Sequence, residues 1–377
     1  MISLARKTLL YEWRRYLPAT LSVSFAGLLL LIQAALVYGI FGAAAIYITQ
    51  SSADLWVGHA GTESFDLGRP IPADTKMKLL MDPDIERVEP FQFLSGDWRG
   101  PKSHGTVAVL ISGIDPQSSS MMFDQSLSPS MRRYLYEPGS IIIDQNDLHK
   151  LGLGNSNYGS INNHRVHIVG KTVGIGALGG VNVLTSLATA KLLSENSNSN
   201  EMVSYYGVKI RHGNNLFKVK NRLRTKSTLR MYEVWTQEEF AQKTMLYWLF
   251  DTGAGLGVLF LAIIVLIVGV VITSQTLMAA VAACLREYAT LQALGVGFNE
   301  LRKVVLEQAA WIGGLGIVLG DIFGAAVLIA ANKFGVPVKI NTLLVLTSTI
   351  LVMMIVLISG LLSVRTLHHV DPANLLR

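Results

Sequence analysis

The residues that most resemble a phosphate-binding site are Gly-Lys-Thr at 170–172, but their surroundings do not support one. A loop of the type Gly-x-x-x-x-Gly-Lys-Thr needs a glycine five positions before its second glycine, because the backbone N–H groups wrap the phosphates. That position holds Arg165, and no apolar helix follows directly. The glycine-rich run at 174–180 lacks the flanking strand and helix of a dinucleotide site, so we interpret it as a turn.

The histidines and carboxylates show no catalytic or metal-ligand spacing. His368 and His369 are adjacent rather than one helical turn apart, and His164 and His167 fall in a predicted strand or turn. The sequence contains no Gly-x-Ser-x-Gly nucleophile elbow, and no paired carboxylates stand out. We therefore predict that the chain is not an enzyme and holds no metal or cofactor of its own.

The composition indicates a membrane protein. Half of the 377 residues are apolar and only 15% are charged, which is unusual for a soluble globular protein. Asp, Glu, Lys and Arg are absent between Arg15 and Asp54, between Asp251 and Arg286, and between Lys339 and Arg365, while the stretch 308–332 is interrupted only by Asp321. Each stretch can span a bilayer, which takes about 20 apolar residues. The first is far longer than the apolar core of a signal peptide, about 7–15 residues, and is predicted to be a retained anchor.

Basic residues predict the orientation. With a cytoplasmic N-terminus, the inner segments hold Arg6, Lys7, Arg14, Arg15, Arg286, Arg302, Lys303, Arg365 and Arg377. The short outer loop holds only Lys333 and Lys339. The positive-inside rule then places both termini in the cytoplasm. The net charge of +6 is explained by topology, and we predict no nucleic-acid partner.

The predicted fold class is an α-helical membrane protein with four transmembrane helices plus a mixed α/β extracytoplasmic domain inserted between helices 1 and 2. The inserted segment, about 190 residues, is long enough for a folded domain. The predicted order is a cytoplasmic amphipathic helix (1–17), transmembrane helix 1 (18–50), the α/β domain (51–244), transmembrane helix 2 (245–284), a cytoplasmic coupling loop (285–304), transmembrane helix 3 (305–331), a short outer loop (332–340), transmembrane helix 4 (341–364) and a cytoplasmic tail (365–377).

Two helices of the inserted domain are predicted from local signals. Thr236 followed by Glu239 is the pattern of a capping box, and the helix that it starts runs towards the second span. The basic region 209–230 spaces Leu216, Val219 and Leu223 for one helix face, so a solvated amphipathic helix is the simpler interpretation. The alternative is a docking surface for an adaptor protein or lipid head groups, formed by Lys218, Arg222 and Lys226.

The third span carries small residues at helical spacing. Gly316, Gly320 and Gly324 share one helix face, which predicts close packing against another helix of the chain or of a second copy. Asp321 lies beside that face near the middle of the membrane, where an ionisable group is costly. A structural hydrogen bond to another helix and a role in substrate passage are both open for it.

The loop between spans two and three carries a sequence signature. The segment 285–294 is a predicted short helix with Gly295 as its C-cap, and Asn299 is the predicted N-cap of the next helix. The stretch LREYATLQALGVGFNELRKVVLEQAAWIGGLGIVLG and the tail VRTLHHVDPANLLR resemble the MacB/FtsX-type ABC transporter permeases (the type VII ABC superfamily). In layout, the chain looks most like the DevC-type exporter permeases of that family.

The resemblance implies a function that this chain shares with partners. It implies a permease in the bacterial inner membrane, acting as a homodimer with a cytoplasmic ABC ATPase that binds ATP and Mg, because only about 17 residues precede the first span here and leave no room for a fused ATPase domain. It also implies a periplasmic adaptor and an outer-membrane channel for export of a lipid, glycolipid, haem, peptide or drug. The residues implied to contact the ATPase are Arg286, Glu287, Leu291, Ala293, Leu294 and Gly295.

Two other functions within the same family stay open. FtsX-like members transmit ATPase motion to cell-wall hydrolases and transport nothing, although their outer domains are generally smaller. Lipoprotein extraction uses two different permeases as a pair. The family pattern assigns no role to Asp321.

Overall fold

The computed structural model describes residues 11, 13–101, 105–154, 156–194, 202–226, 231–284, 290, 294–333, 336, 338 and 342–367. The chain divides into two compact units. One unit contains 1–39 and 256–377, and the other contains 40–255.

The described helices are α1 (Trp13–Ala44), α2 (Ile46–Thr49), α3 (Thr75–Leu80), α4 (Pro129–Tyr134), α5 (Leu187–Leu193), α6 (Leu216–Lys226), α7 (Gln237–Leu246), α8 (Ala254–Ala283), α9 (Phe298–Lys333) and α10 (Thr342–Leu367). The described strands are β1 (Leu55–His59), β2 (Ile71–Pro72), β3 (Ile85–Arg99), β4 (Val107–Ile114), β5 (Ser140–Asp144), β6 (Tyr158–Ile161), β7 (His164–Thr172), β8 (Val181–Ser186), β9 (Met202–Val203), β10 (Tyr205–Ile210) and β11 (Tyr232–Thr236). Two 3₁₀-helices lie at Phe65–Leu67 and Gln145–Leu151.

Four of the described helices are long and apolar enough to cross a membrane. They are α1, α8, α9 and α10, with mean hydropathy between 2.1 and 3.2 over their most apolar windows. The α/β domain lies between the first and second of them in the sequence, so the predicted fold class is confirmed. The helix-forming composition is strong enough that α1 continues through Pro18, although proline removes one helical hydrogen bond.

Two predicted helix starts differ from the structure. α1 begins at Trp13, five residues before the proline that was predicted to start the first span, whereas residues 1–10 lie outside the described part. α9 begins at Phe298, which places Asn299 inside the helix rather than at its N-cap. The second difference, of one or two residues, is usual at helix ends, where hydrogen bonding is incomplete.

The inserted domain contains a nine-stranded sheet that partly closes on itself. Its strand order is β11-β1-β10-β3-β4-β8-β5-β7-β6, and β6 also pairs with β3. The fifteen-residue strand β3 belongs both to the open part of the sheet and to the part that closes. Val88 of β3 faces Val208 of β10, while Trp98 of β3 faces Ile161 of β6. Strands β3, β4, β8, β5, β7 and β6 therefore form a closed six-stranded barrel.

The barrel has its own apolar core. Trp98, Ile111, Ile143 and Val183 are fully buried in one cluster. The Trp98 indole Nε1–H donates to the Leu151 carbonyl at 2.9 Å, so its one polar atom is satisfied as burial requires. Because β6 pairs with β3 as well as with β7, it is not left as a free edge strand of the sheet.

The open part of the sheet, β11-β1-β10-β3, buries both faces. Leu55 and Val57 of β1 pack in the cluster that contains Val219 and Leu223 of α6. Trp56, between them, packs in the aromatic cluster on the other face, as strand alternation requires. The predicted amphipathic helix and its buried stripe are confirmed.

The segment from the domain into the second span is not one regular helix. The capping box is present, since the Thr236 hydroxyl accepts from the Glu239 N–H and the Glu239 carboxylate accepts from the Thr236 N–H. However, α7 ends at Leu246, a π-helix covers Tyr247–Asp251, and Gly253 has φ of +76°. The predicted span at 245–284 therefore begins with an irregular turn, and α8 starts at Ala254.

Candidate functional site

The end of the predicted coupling helix has the expected backbone geometry. The Leu294 N–H donates to the Thr290 carbonyl at 3.1 Å, and Gly295 has φ of +93°, the left-handed conformation that ends many helices. The Leu294 side chain is 78% exposed, so it is available for a contact. The remaining predicted contact residues, Arg286, Glu287, Leu291 and Ala293, lie outside the described residues. The ATPase contact therefore stays a prediction.

The glycine stripe of α9 packs against α1 of the same chain. A Cβ atom added at Gly316, Gly320 or Gly324 would lie, in turn, 2.7 Å from Val23 Cβ, 2.8 Å from the Ser24 carbonyl oxygen and 2.7 Å from Leu31 Cδ2. Real Cβ atoms do not approach other atoms so closely, so glycine is what allows the two helices to touch. The stripe thus has an intrachain role, and a dimer contact through it stays a prediction.

Polar side chains join α8 to its neighbours. Gln33 Nε2 of α1 donates to the Val258 carbonyl at 3.0 Å, and the hydroxyls of Ser22 and Thr273 lie 3.3 Å apart. The Ser359 hydroxyl of α10 donates to the Val270 carbonyl at 3.3 Å. Hydrogen bonds of this kind hold helices together in lipid, where apolar burial supplies little driving force.

Asp321 is half-buried beside the glycine stripe. Within the part of the chain that the structure describes, its carboxylate has no hydrogen-bond or ion-pair partner. The predicted structural hydrogen bond is therefore not found among these residues, and the role of Asp321 stays open.

The basic helix α6 uses one of its three predicted docking residues internally. Arg222 donates to both carboxylate oxygens of Asp82, at 2.8 Å and 2.6 Å, and also to Asp84. The hydrogen bonds that Asp82 and then Asp84 accept from Arg222 raise its pKa. Lys218 is exposed, and the side chain of Lys226 lies outside the described part. A docking role for this helix stays a prediction that rests chiefly on Lys218.

Two buried charges hold the loop after β4, and sequence patterns gave no sign of them. Glu89 of β3 and Arg132 of α4 are each 2% exposed. The Glu89 carboxylate accepts from the Ser120 hydroxyl and the Met121 N–H, both at 2.8 Å, and Arg132 Nη2 donates to the Met122 carbonyl at 2.6 Å. Three consecutive loop residues are thus bound by two charged side chains.

Burial is the largest influence on the pKa values of Glu89 and Arg132. It raises the pKa of Glu89 in spite of the opposing hydrogen bonds from Ser120 and Met121, and it lowers the pKa of Arg132. One oxygen of Glu89, Oε1, and one nitrogen of Arg132, Nη1, are buried without a hydrogen bond in the described part of the chain. Glu89 Oε1 nevertheless lies 2.7 Å from Arg87 Nη2, so the carboxylate is not without a counter-charge. The described residues contain no group of acidic, histidine or cysteine side chains that could hold a metal.

Comparisons with known proteins address the membrane helices and the inserted domain separately. Residues 259–372, which include most of α8 and all of α9 and α10, match the family described as FtsX-like permease C-terminal. A search of curated proteins gave no match.

Three solved structures resemble the inserted domain at low similarity. The first is the periplasmic region of MacB from Actinobacillus actinomycetemcomitans, with 14% identity and a TM-score of 0.37, covering 52% of this chain and 94% of that chain. The second is the extracellular domain of the ABC-type transporter YknZ from Gram-positive bacteria, with 13% identity and a TM-score of 0.35, covering 49% of this chain and 100% of that chain. The third is a domain of a permease protein from Porphyromonas gingivalis, with 10% identity and a TM-score of 0.33, covering 50% of this chain and 91% of that chain. The C-terminal helices of this multi-pass chain are thus similar to those of FtsX-like permeases over residues 259–372.

Proposed function

We propose that the chain is the permease subunit of an ABC exporter that converts ATP hydrolysis by a separate subunit into movement of its periplasmic domain. The observation that carries this proposal is the match of residues 259–372 to FtsX-like permeases. The α/β domain inserted before those helices is the part that would act on a substrate. Within this chain we found no sequence motif for a nucleotide, so ATP and Mg would bind to the partner ATPase.

The parts of the proposed mechanism are consecutive along the chain. The loop between α8 and α9 would bind the ATPase in the cytoplasm, with Leu291 and Leu294 as apolar anchors. The chain runs from that loop through α8 and α7 directly into β11 of the inserted domain. Two copies of the permease would act as a homodimer, and the moving domains would pass a lipid, glycolipid, haem, peptide or drug to an adaptor and an outer-membrane channel.

Association with the ATPase tests this proposal. We expect that Leu291→Glu with Leu294→Glu, in the full chain in nanodiscs, abolishes copurification with the partner ATPase and lowers stimulated hydrolysis by at least about tenfold. Each leucine buried at a contact contributes roughly 1.5–3 kcal/mol, and a glutamate in its place would bury a charge. Copurification and hydrolysis at the wild-type level would contradict the proposal.

A matched control lies just beyond the same loop. Lys303 pairs with Glu300 at 2.8 Å, and both side chains are exposed. The reversed pair, Glu300→Lys with Lys303→Glu, changes charges near the membrane without removing an apolar anchor. We expect it to bind and stimulate the ATPase normally.

Gene neighbourhood separates the exporter from other members of the family. One permease gene beside an ATPase gene and an adaptor gene supports export. A second, different permease gene would favour lipoprotein extraction, and a cell-wall hydrolase gene would favour an FtsX-like regulator.

A further inference from the structure

The two ends of the inserted domain are neighbours in its sheet. Strand β1 is the first strand after α2, and β11 leads directly into α7. These strands pair antiparallel, with Leu55 opposite Thr236. The incoming segment, 46–54, and the outgoing helix α7 therefore start from one end of one strand pair.

Gln237, the first residue of α7, bonds to the incoming segment at three places. Its side-chain Nε2 donates to the carbonyls of Ile48 at 2.9 Å and Ser51 at 2.6 Å. Its backbone N–H donates to the Asp54 carbonyl at 3.3 Å. The side-chain amide thus uses both of its N–H bonds on one short stretch of backbone.

Apolar packing reinforces this junction. Ile46 and Ile48 of α2 are buried in the same cluster as Phe240 and Ala241 of α7. Because Gln237 lies less than two helical turns before these residues, its hydrogen bonds set the position of the whole contact. We call the junction of Ile48, Ser51, Asp54 and Gln237 the base clasp.

Irregular backbone begins only beyond the clasp on the outgoing side. The π-helix at Tyr247–Asp251 is followed by Thr252 and by Gly253 at φ of +76°. π-Helical turns and left-handed glycines are places where backbone direction changes at low cost. The regular helix α7 and the irregular backbone at 247–253 are therefore separate segments of the chain.

We propose that Gln237 is a positioning residue that makes the incoming segment and α7 one rigid body, so that the domain is driven through both of its connections together. Bending during the cycle then falls at 247–253, outside the base clasp. This inference rests on the proposed function, because it concerns how motion of the spans reaches the domain.

Hydrogen exchange tests the clasp without any assay of transport. In the full chain in nanodiscs, Gln237→Met keeps the length and helix preference of the side chain but removes both donors. We expect the amides at 48–54 to exchange roughly tenfold faster, because the loss of both hydrogen bonds lets this stretch open more often. The control is Gln242→Met on the same helix, where the side chain is exposed and bonds to Glu238 of its own helix at 3.3 Å. Equal exchange at 48–54 in both variants would overturn the clasp.

A reversible cross-link tests the positioning role itself. Ser51→Cys with Gln237→Cys, in a Cys284→Ser background, removes the Gln237 amide and allows a thiol cross-linker to replace it. A protease site inserted at 195–200 reports the cross-link, because the cut chain then stays in one piece on a denaturing gel. With ATPase present, we expect the reduced form to hydrolyse ATP but lose export, and the cross-linked form to regain export.

Each other outcome counts against the positioning role. Normal export by the reduced form would mean that Gln237 serves stability alone. Loss of export on cross-linking, reversed by reduction, would mean that the two segments must separate during the cycle. If the wild-type chain shows no ATP-dependent export, the proposed function fails, and the positioning role fails with it, while the exchange experiment still decides the clasp.

Discussion

At the scale of single residues, the inserted domain contains charges that are expensive to bury and are compensated by backbone groups. Glu89 and Arg132 bind Ser120, Met121 and Met122 from two different elements. A buried polar group that loses its partner costs about 1–3 kcal/mol. The loop position is thereby specified by charge as well as by apolar packing.

Glu89 should make the stability of the domain depend on pH. Burial raises its folded-state pKa above the ordinary value of 4.5, so its favourable contribution exists below that value and is lost as the pH rises through the folded-state pKa. We expect Glu89→Gln to gain stability relative to wild type as the pH rises above about 4.5, because glutamine stays uncharged in the buried site. Chemical denaturation of the full chain followed by tryptophan fluorescence measures this difference.

The control for this prediction lies on the same strand. Glu86 is exposed, so Glu86→Gln makes the same chemical change on this strand without removing a buried carboxylate. A Glu89→Gln variant whose profile is parallel to that of wild type would show that burial does not govern this carboxylate.

At the scale of elements, close contact between α1 and α9 depends on glycine. A side chain at Gly320 would meet the backbone oxygen of Ser24 at 2.8 Å, whereas a side chain at Gly314 of the same helix would meet no described atom within 4 Å. The two positions differ by less than two turns. The same substitution at Gly314 and at Gly320 therefore changes helix propensity equally and lies at a similar depth in the membrane. The two variants differ in packing against α1.

We expect Gly320→Val to destabilise the helical unit by about 1–3 kcal/mol, the usual cost of overpacking a tight contact. Gly314→Val should change its stability by less than about 0.5 kcal/mol. Thermal unfolding of the purified chain in detergent measures both variants. Equal losses of stability would mean that helix propensity, rather than contact with α1, explains the effect.

At the scale of the whole molecule, the arrangement is a set of membrane helices with one large domain inserted after the first. Basic residues predict that both termini are cytoplasmic, which puts the inserted domain outside. The orientation decides whether the loop between α8 and α9 can reach a cytoplasmic ATPase.

Thiol labelling tests this orientation. In a Cys284→Ser background, Asn198→Cys should react with an impermeant thiol reagent in intact spheroplasts, because its segment belongs to the domain that is predicted to lie outside. Glu300→Cys, on the inner side, should react only after lysis. The opposite pattern would mean that the orientation is inverted.

Local sequence features determined much of this protein. Three charge-free stretches, and a fourth interrupted only by Asp321, located the four candidate membrane helices and the inserted domain, and Thr236 with Glu239 located the start of α7. Transfer of apolar residues to lipid and capping of a helix depend on residues close together in the chain, so their patterns are legible without a structure.

Only the tertiary structure decided which distant residues meet. It closed the barrel through pairing of Trp98 with Ile161, brought Asp82 to Arg222 across 140 positions, and brought Ile48 to Gln237 across 189. An arginine or glutamine in isolation is compatible with solvent or with many partners. Contacts of this kind depend on strand register and on the path of the whole chain, which no local pattern encodes.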